Sequence, residues 1–403
     1  MIIISGPMPG STGVGRLMSH LMQEAKSMPE GAVRIIVGWS GVGAGKALRQ
    51  VKLLKFLAAV WKIFRGGIRL LDAMYDTTVL ETDEPLVLIH LQTLGYNWCK
   101  RVVEKRSGPT WVYLMDSSFF CIRSYNHIPE ERKACLRCLG GDWRHSKELN
   151  CPHFPFGNFR AMKLVGNLKR WVKKGRIKLL VQNRIQAELA RRHFGEHVGV
   201  KIAGMWAADW PELENVSPTR EDRDGEFDVV YHGACDPAKG YIWAMDLARH
   251  CLGIKFLFPC SKPDSRLLHD APPPNCHFVF MNWETGLAEA VQKAKLVLVP
   301  SLWSAPIEGA LLKSVIFGRS VAVANEPTAF SSELPEGLLL CLPLDVKQAA
   351  KILRQSIECE WKPDEKLRQD WLAQFYKTNR GLLGRLLSLC QEASNLQSTR
   401  DIL

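Results

Sequence analysis

No stretch of the chain offers about 18 uncharged apolar residues in a row, the length a helix needs to cross the apolar centre of a bilayer, so no membrane-spanning helix is expected. The first residues, MIIISGPMPG, lack a basic leader region, and three consecutive isoleucines are too few for the core of a secretory signal. A cytoplasmic location is the expectation. Internal repeats and low-complexity tracts are missing too, which sets aside solenoids and most disorder. Acidic residues are missing locally, with none in residues 40–70 and none in residues 160–184. In a reducing compartment the 12 cysteines are expected to be mostly thiols or metal ligands rather than disulfides.

At 403 residues the chain is long for one core, so two domains are expected. Apolar residues at 46% and charged residues at 23% are ordinary for a globular enzyme. A net charge of +12 favours anionic partners: nucleic acid, nucleoside diphosphates or an acidic membrane leaflet. Short apolar runs at residues 1–5, 33–37, 86–90, 111–115 and 177–181, then at 228–231, 254–258, 276–280, 296–299, 320–324 and 338–341, alternate with helical patterns. Near-continuous apolar strands are those covered on both faces, and the alternation predicts parallel sheets with right-handed crossovers. Residues 204–226, polar, charged and interrupted by two prolines, are the linker candidate. Doubly wound sheets gather ligand loops at the carboxyl ends of their strands, which places the expected active site in the cleft between domains.

Two basic stretches stand out. In residues 52–69 a helical period puts Leu53, Leu57, Val60, Trp61, Phe64 and Ile68 on one face and Lys52, Lys55, Lys62, Arg65 and Arg69 on the other. Such a helix suits an anionic membrane surface; the alternative is a core-facing helix with a solvated basic face. Residues 160–184 extend that patch, bind an acceptor diphosphate, or are a solvated face. Neither stretch carries a nucleic-acid-binding motif, so no nucleic acid is expected as partner.

Several local motifs bear on chemistry. The turn 10–16, GSTGVGR, leads from the first strand into a helix, and Gly13 and Gly15 leave backbone N–H groups and a helix start for an anion. The cluster 40–47, SGVGAGKA, fails as a P-loop at Ser40 and Ala47. Cys121, Cys135, Cys138 and Cys151 fall close together with Cys135 and Cys138 in metal-ligand spacing, which suits a structural zinc stapling an insertion at 117–156. Plain thiols, disulfides or an iron–sulfur cluster remain open.

Residues 291–327, VQKAKLVLVPSLWSAPIEGALLKSVIFGRSVAVANEP, combine a buried strand, a Pro-Ser turn, a helix and a second strand. The segment resembles the sugar-nucleotide signature of family-4 glycosyltransferases of the GT-B architecture. The family's two glutamates are replaced by Ala305 and Lys313. Residues 228–240, DVVYHGACDPAKG, resemble its diphosphate motif, with Lys239 kept and the arginine replaced by Ala234. Residues 111–120 resemble the strand that ends in His-Asp, with Met115 at the histidine and Asp116 kept.

The resemblance implies an α/β fold of two Rossmann-like doubly wound domains facing across a cleft. Residues 1–203 form the acceptor domain, 227–365 the nucleotide-sugar domain, and 366–403 helices that cross back. Donor binding falls to Gly13, Gly15, Lys239, Ser304, Glu308 and Lys313. Glu308, the only carboxylate between Glu289 and Glu326, either meets sugar or ribose hydroxyls or sits at a helix start favoured by the macrodipole. Asp116 orients or deprotonates an acceptor hydroxyl, or caps a helix. His90 is a second catalytic candidate, or a structural hydrogen-bonder.

The expected activity is retaining transfer of a sugar, without a catalytic metal, from a nucleotide-sugar to a lipid-linked or membrane-proximal glycan in bacterial surface polysaccharide assembly. The location is then cytoplasmic, on the inner face of the membrane. The alternative is a non-catalytic GT-B binding protein with a degraded donor site.

Overall fold

The computed structural model describes residues 1–10, 13–37, 80–154, 160–205, 225–260 and 271–400. The apolar runs of the first half become β1 (Ile2–Ser5), β2 (Arg34–Val37), β3 (Leu86–Ile89) and β4 (Thr110–Tyr113). A short antiparallel hairpin follows, β5 (His127–Ile128) and β6 (Lys133–Ala134), and then β7 (Lys178–Val181) and β8 (Val200–Ile202). All but the hairpin pair in parallel in the order β2-β1-β3-β4-β7-β8. β1, β3 and β4 are buried at every position. Side chains alternate across a strand, so Ile2, Ile4, Leu86, Leu88 and Val112 meet Trp98 and Val102 of the helix Tyr96–Lys105 and Trp171 of the helix Arg160–Lys173. On the opposite face Ile3, Val87, Ile89, Trp111 and Tyr113 meet Leu17 and Leu21 of the helix Gly13–Ala25 and Leu382 and Leu386 of the helix Leu382–Arg400.

The second half supplies β9 (Val229–Tyr231), β10 (Phe256–Phe258), β11 (Cys276–Phe278), β12 (Leu296–Leu298), β13 (Val321–Ala324) and β14 (Leu340–Leu342). They form a parallel sheet ordered β11-β10-β9-β12-β13-β14. Counted within this sheet the order is 3-2-1-4-5-6, the Rossmann arrangement, whose direction of winding reverses between β9 and β12. Ligands of such sheets bind beyond the carboxyl ends of those two strands.

By its internal contacts the chain divides into two units. One holds Met1–Ser124, Leu136–Ala208 and Asn379–Leu403; the other holds Tyr125–Cys135 and Asp209–Thr378. Two boundaries thus differ from the sequence reading. The middle of the expected Cys-rich insertion belongs to the second unit, because its hairpin bonds to residues of that unit. Of the helices expected to cross back, most of Glu365–Asn379 groups with the second unit, and Leu382–Arg400 covers the first sheet. The amphipathic stretch 52–69 and nearly all of the linker 204–226 lie outside the described residues. Among the described residues no helix is long and apolar enough to cross a membrane.

Gly240 is where the second unit leaves no room for a side chain. Its φ is +73°, and an added Cβ would come 2.0 Å from the carbonyl oxygen of Pro300. A left-handed non-glycine residue costs about 1–3 kcal/mol before any clash. Gly240→Ala is expected to lose at least about 2 kcal/mol in urea unfolding; unchanged stability would refute this account.

Candidate functional site

Beyond β9 the chain turns through His232–Asp236 into a single 3-10 turn, Pro237–Lys239. Asp236 caps that turn by accepting the Ala238 N–H at 2.8 Å. The Tyr231 hydroxyl lies 2.7 Å from the carbonyl oxygen of Ala234 and 3.0 Å from that of Lys239, which gathers the loop over the end of its own strand. Lys239 therefore stands at the switch point, where β9 and β12 deliver their loops.

Its ammonium is largely buried and paired with the Glu308 carboxylate. The other oxygen of Glu308 accepts the Ser301 hydroxyl at 2.6 Å, and Ser301 comes from the loop after β12. Glu308 is the N-cap residue of the helix Gly309–Phe317, yet its side chain makes no capping bond and is directed to Lys239 instead. Two rings flank the cation: the ammonium is 4.7 Å from the centroid of Trp303 and 5.3 Å from that of Tyr125, and the rings are 4.4 Å apart. Burial alone would lower the Lys239 pKa, but the charge of Glu308, with smaller contributions from Tyr125 and Asp236, outweighs it and holds the value above that of an ordinary lysine. Lys239 stays cationic at neutral pH. A buried charge that loses its partner typically costs about 3–5 kcal/mol, so the two are held as a unit.

Lys313 lies one turn into the same helix and is buried. Its ammonium sits 4.3 Å from the centroid of Trp283, on which His232 also stacks at 5.6 Å with an interplanar angle of 12°. The Ser314 hydroxyl donates to the carbonyl of Ala310 at 2.8 Å, so His232 Nδ1, 2.9 Å away, is the donor to that hydroxyl. Burial, with the charge of Lys313 adding to it, pushes the His232 pKa down to about 3.

Ser304 has a different place from the one expected of a donor-binding residue. Its hydroxyl accepts the Asn126 side-chain N–H at 2.8 Å and lies 2.7 Å from the Thr328 hydroxyl, while its backbone N–H donates to the Asn126 side chain at 3.1 Å. The buried group is consumed in holding the β5–β6 hairpin. Gly13 opens the helix Gly13–Ala25 and Gly15 is buried in its first turn, but residues 11–12 of that turn lie outside the described residues.

In the first unit the structure brings the two catalytic candidates together. His90 follows β3 in a left-handed conformation, φ 59°, rare for a residue with a side chain. Its Nε2 is 4.0 Å from Oδ2 of Asp116, which follows β4. Oδ1 of Asp116 accepts the Ser118 N–H at 2.9 Å and the Gln92 amide at 3.4 Å, and Oδ2 accepts the Ser124 hydroxyl. Burial lowers the His90 pKa, with Asp116 acting in opposition. The Thr93 hydroxyl donates to the His90 carbonyl at 3.0 Å, so Nδ1, 2.9 Å from that hydroxyl, carries the proton and Nε2 keeps its lone pair.

The cysteines are not gathered as ligands. Cys121 and Cys138 are buried among apolar side chains of the first core, Cys151 packs beside Ile122 and Val165, and Cys135 belongs to the hairpin. Among the described residues no group of three or more His, Cys, Asp or Glu is placed to hold a metal ion, and none of the twelve cysteines is in a disulfide.

Four site residues were not anticipated: Tyr125, Asn126, Ser301 and Trp303. Ser301 follows Pro300 at the end of a buried strand and was legible as part of the Pro-Ser turn. The other three depend on a hairpin too short to show a period.

No protein-family model and no curated protein matches the sequence. Solved structures do. The chain is similar to Anabaena HepE in complex with UDP-glucose, with a TM-score of 0.58 and 14% identity over 96% of this chain and 99% of that one. It is similar to the UDP-forming α,α-trehalose-phosphate synthase of Burkholderia vietnamiensis, with a TM-score of 0.54 and 11% identity over 99% of each. At a TM-score of 0.49 and 10% identity, TarM is matched over 80% of this chain and 58% of its own length. The fold is that of GT-B glycosyltransferases, with two Rossmann-like parallel-sheet domains.

The depressed histidine gives a pH signature. The unfolded chain takes up a proton near the ordinary value of 6.5, and folded His232 only near about 3, so stability is full above that upper value and falls as the pH drops between the two. At pH 5.5 the loss from this group amounts to about 1.4 kcal/mol. His232→Asn is expected to flatten the difference in urea stability between pH 7.5 and pH 5.5 by about that amount; an unchanged pH dependence would contradict the assignment.

Proposed function

We propose that this protein is a glycosyltransferase resembling family 4, which moves a sugar from a nucleoside-diphosphate sugar to a hydroxyl of a glycan or lipid-linked acceptor. The observation that carries the reading is the Lys239–Glu308–Ser301 unit at the switch point of a Rossmann sheet. When the bond from sugar to diphosphate breaks, negative charge grows on the departing phosphate. A fixed cation there, flanked by Trp303 and Tyr125, stabilises that charge at little cost of reorganisation. Glu308 keeps Lys239 in place and offers acceptor oxygens to sugar hydroxyls.

His90 and Asp116 are assigned to the acceptor. Neutral Nε2 and the Asp116 carboxylate are two acceptors 4.0 Å apart, and an acceptor hydroxyl can donate its hydrogen to either. Retention of anomeric configuration and a role in bacterial surface polysaccharide assembly go with the family resemblance. A second reading, a GT-B protein that binds without transfer, is favoured by Ala234, Ala305 and Lys313 standing together where the family has charged residues of its own.

A thermal-shift series with UDP and UDP-sugars tests the donor site. A saturating ligand at about 100 times its Kd stabilises by about 2.7 kcal/mol, a shift of several degrees. The shift is expected to vanish in Lys239→Ala and to shrink in Glu308→Gln. No shift with any nucleotide would sink the reading, and binding without sugar transfer would favour the second one.

The acid-free amphipathic stretch 52–69 supports attachment to an anionic membrane surface. Flotation with liposomes containing an acidic lipid is expected to carry the protein up, and to fail once Lys52, Lys55 and Lys62 are changed to Glu. Equal flotation of both forms would disprove the attachment.

A further inference from the structure

The β5–β6 hairpin lies in sequence between β4 and β7, strands of the first sheet, yet residues Tyr125–Cys135 group with the second unit. Its attachment there is specific. Asn126 is fully buried and exchanges two hydrogen bonds with Ser304, at 2.8 and 3.1 Å, while its amide also reaches the Cys135 carbonyl at 3.2 Å. His127 Nδ1 is 2.9 Å from the Leu302 carbonyl. The hairpin also bonds outside this loop: the Ala134 N–H donates to Glu326 at 2.8 Å, and Arg132 pairs with Asp246 at 2.6 Å. Trp303 is thereby gripped on both sides by bonds to residues 302 and 304, and its ring is the nearer of the two that flank Lys239. Tyr125, at the root of the hairpin, supplies the other ring.

A lysine side chain has four rotatable bonds, and Glu308 alone restrains only its tip. Two rings along its flank restrict the ammonium to the one direction in which Glu308 meets it. We propose that the hairpin is a positioning device of the donor site: Asn126 fixes the Trp303 loop, and Tyr125 completes with Trp303 an aromatic clamp that holds the Lys239 ammonium aimed for the diphosphate. The proposal rests on the reading that Lys239 meets a diphosphate.

Calorimetric titration of the full chain with UDP and with UMP tests it. Tyr125→Ala is expected to weaken UDP binding about fivefold, as loss of a partly exposed cation–aromatic contact implies, and to leave UMP within about twofold, since UMP lacks the second phosphate. Tyr125→Phe, which keeps the ring, is expected to stay within about twofold for both. Asn126→Ala, if it folds, is expected to follow Tyr125→Ala. Equal UDP affinity in wild type and Tyr125→Ala overturns the clamp, as does an equal loss for UMP and UDP, the mark of a merely structural role.

If the wild type binds no UDP, the clamp is judged without ligand, and that result stands apart from the glycosyltransferase reading. In protein with 13C-dimethylated lysines, the Lys239 methyl resonance, assigned by its loss in Lys239→Ala, should lie upfield from the two rings. It should return toward ordinary lysine in Tyr125→Ala, and a resonance that does not move overturns the clamp on its own.

Discussion

A lysine and a glutamate 69 residues apart in sequence meet in a largely apolar setting at the end of the second sheet, and much of that unit is arranged so that they can. Either charge alone would be expensive there. Together they are tolerable only with good geometry and with the remaining oxygen of the carboxylate satisfied, which Ser301 does. The capped turn at Asp236, the side-chain-free Gly240 against Pro300, and the two carbonyls gathered by Tyr231 all serve to deliver the cation to one point. Parallel strands that end together make such delivery possible, because their loops open on the same edge.

The two units solve the polar-group problem differently. In the second, a cation is paired with a carboxylate and flanked by rings. In the first, His90 is kept neutral by burial beside an Asp116 carboxylate that already accepts three hydrogen bonds. A strained backbone at His90 and a carboxylate so heavily bonded are features of a place where orientation matters more than local stability. Lys313 and His232, sharing Trp283, form a third polar cluster in which an ammonium lies against a ring face.

How much of this was legible in the sequence follows from burial. Strands covered on both faces are continuous apolar runs, and β1, β3, β4, β9 and β12 were read directly for that reason. β8 was missed: Val200-Lys201-Ile202 is an edge strand with two of its three side chains exposed, and it carries no such run. The hairpin was missed because strands of two residues have no period. Lys239 and Glu308 were each picked out, but their pairing is a matter of tertiary distance. Spacing alone does not distinguish a metal ligand from a buried thiol, and Cys121 and Cys138 lie within the first core. Ser304 was read as a ligand group because the turn around it fits a family pattern; nothing in the turn announces a partner 178 residues earlier.

That long separation also governs the order in which the molecule can be completed. As the chain is synthesised, Asn126 emerges well before residues 302–304, and its two bonds to Ser304 cannot form until they arrive. One face of the first sheet, covered in part by the helix Gly13–Ala25, is likewise completed only when the helix Leu382–Arg400 is made. Each unit thus takes contacts from far along the sequence, the second from residues 302–304 and the first from the helix Leu382–Arg400. Contacts of such long sequence separation form late, and the apolar surface they cover stays exposed to chaperones and to aggregation in the meantime.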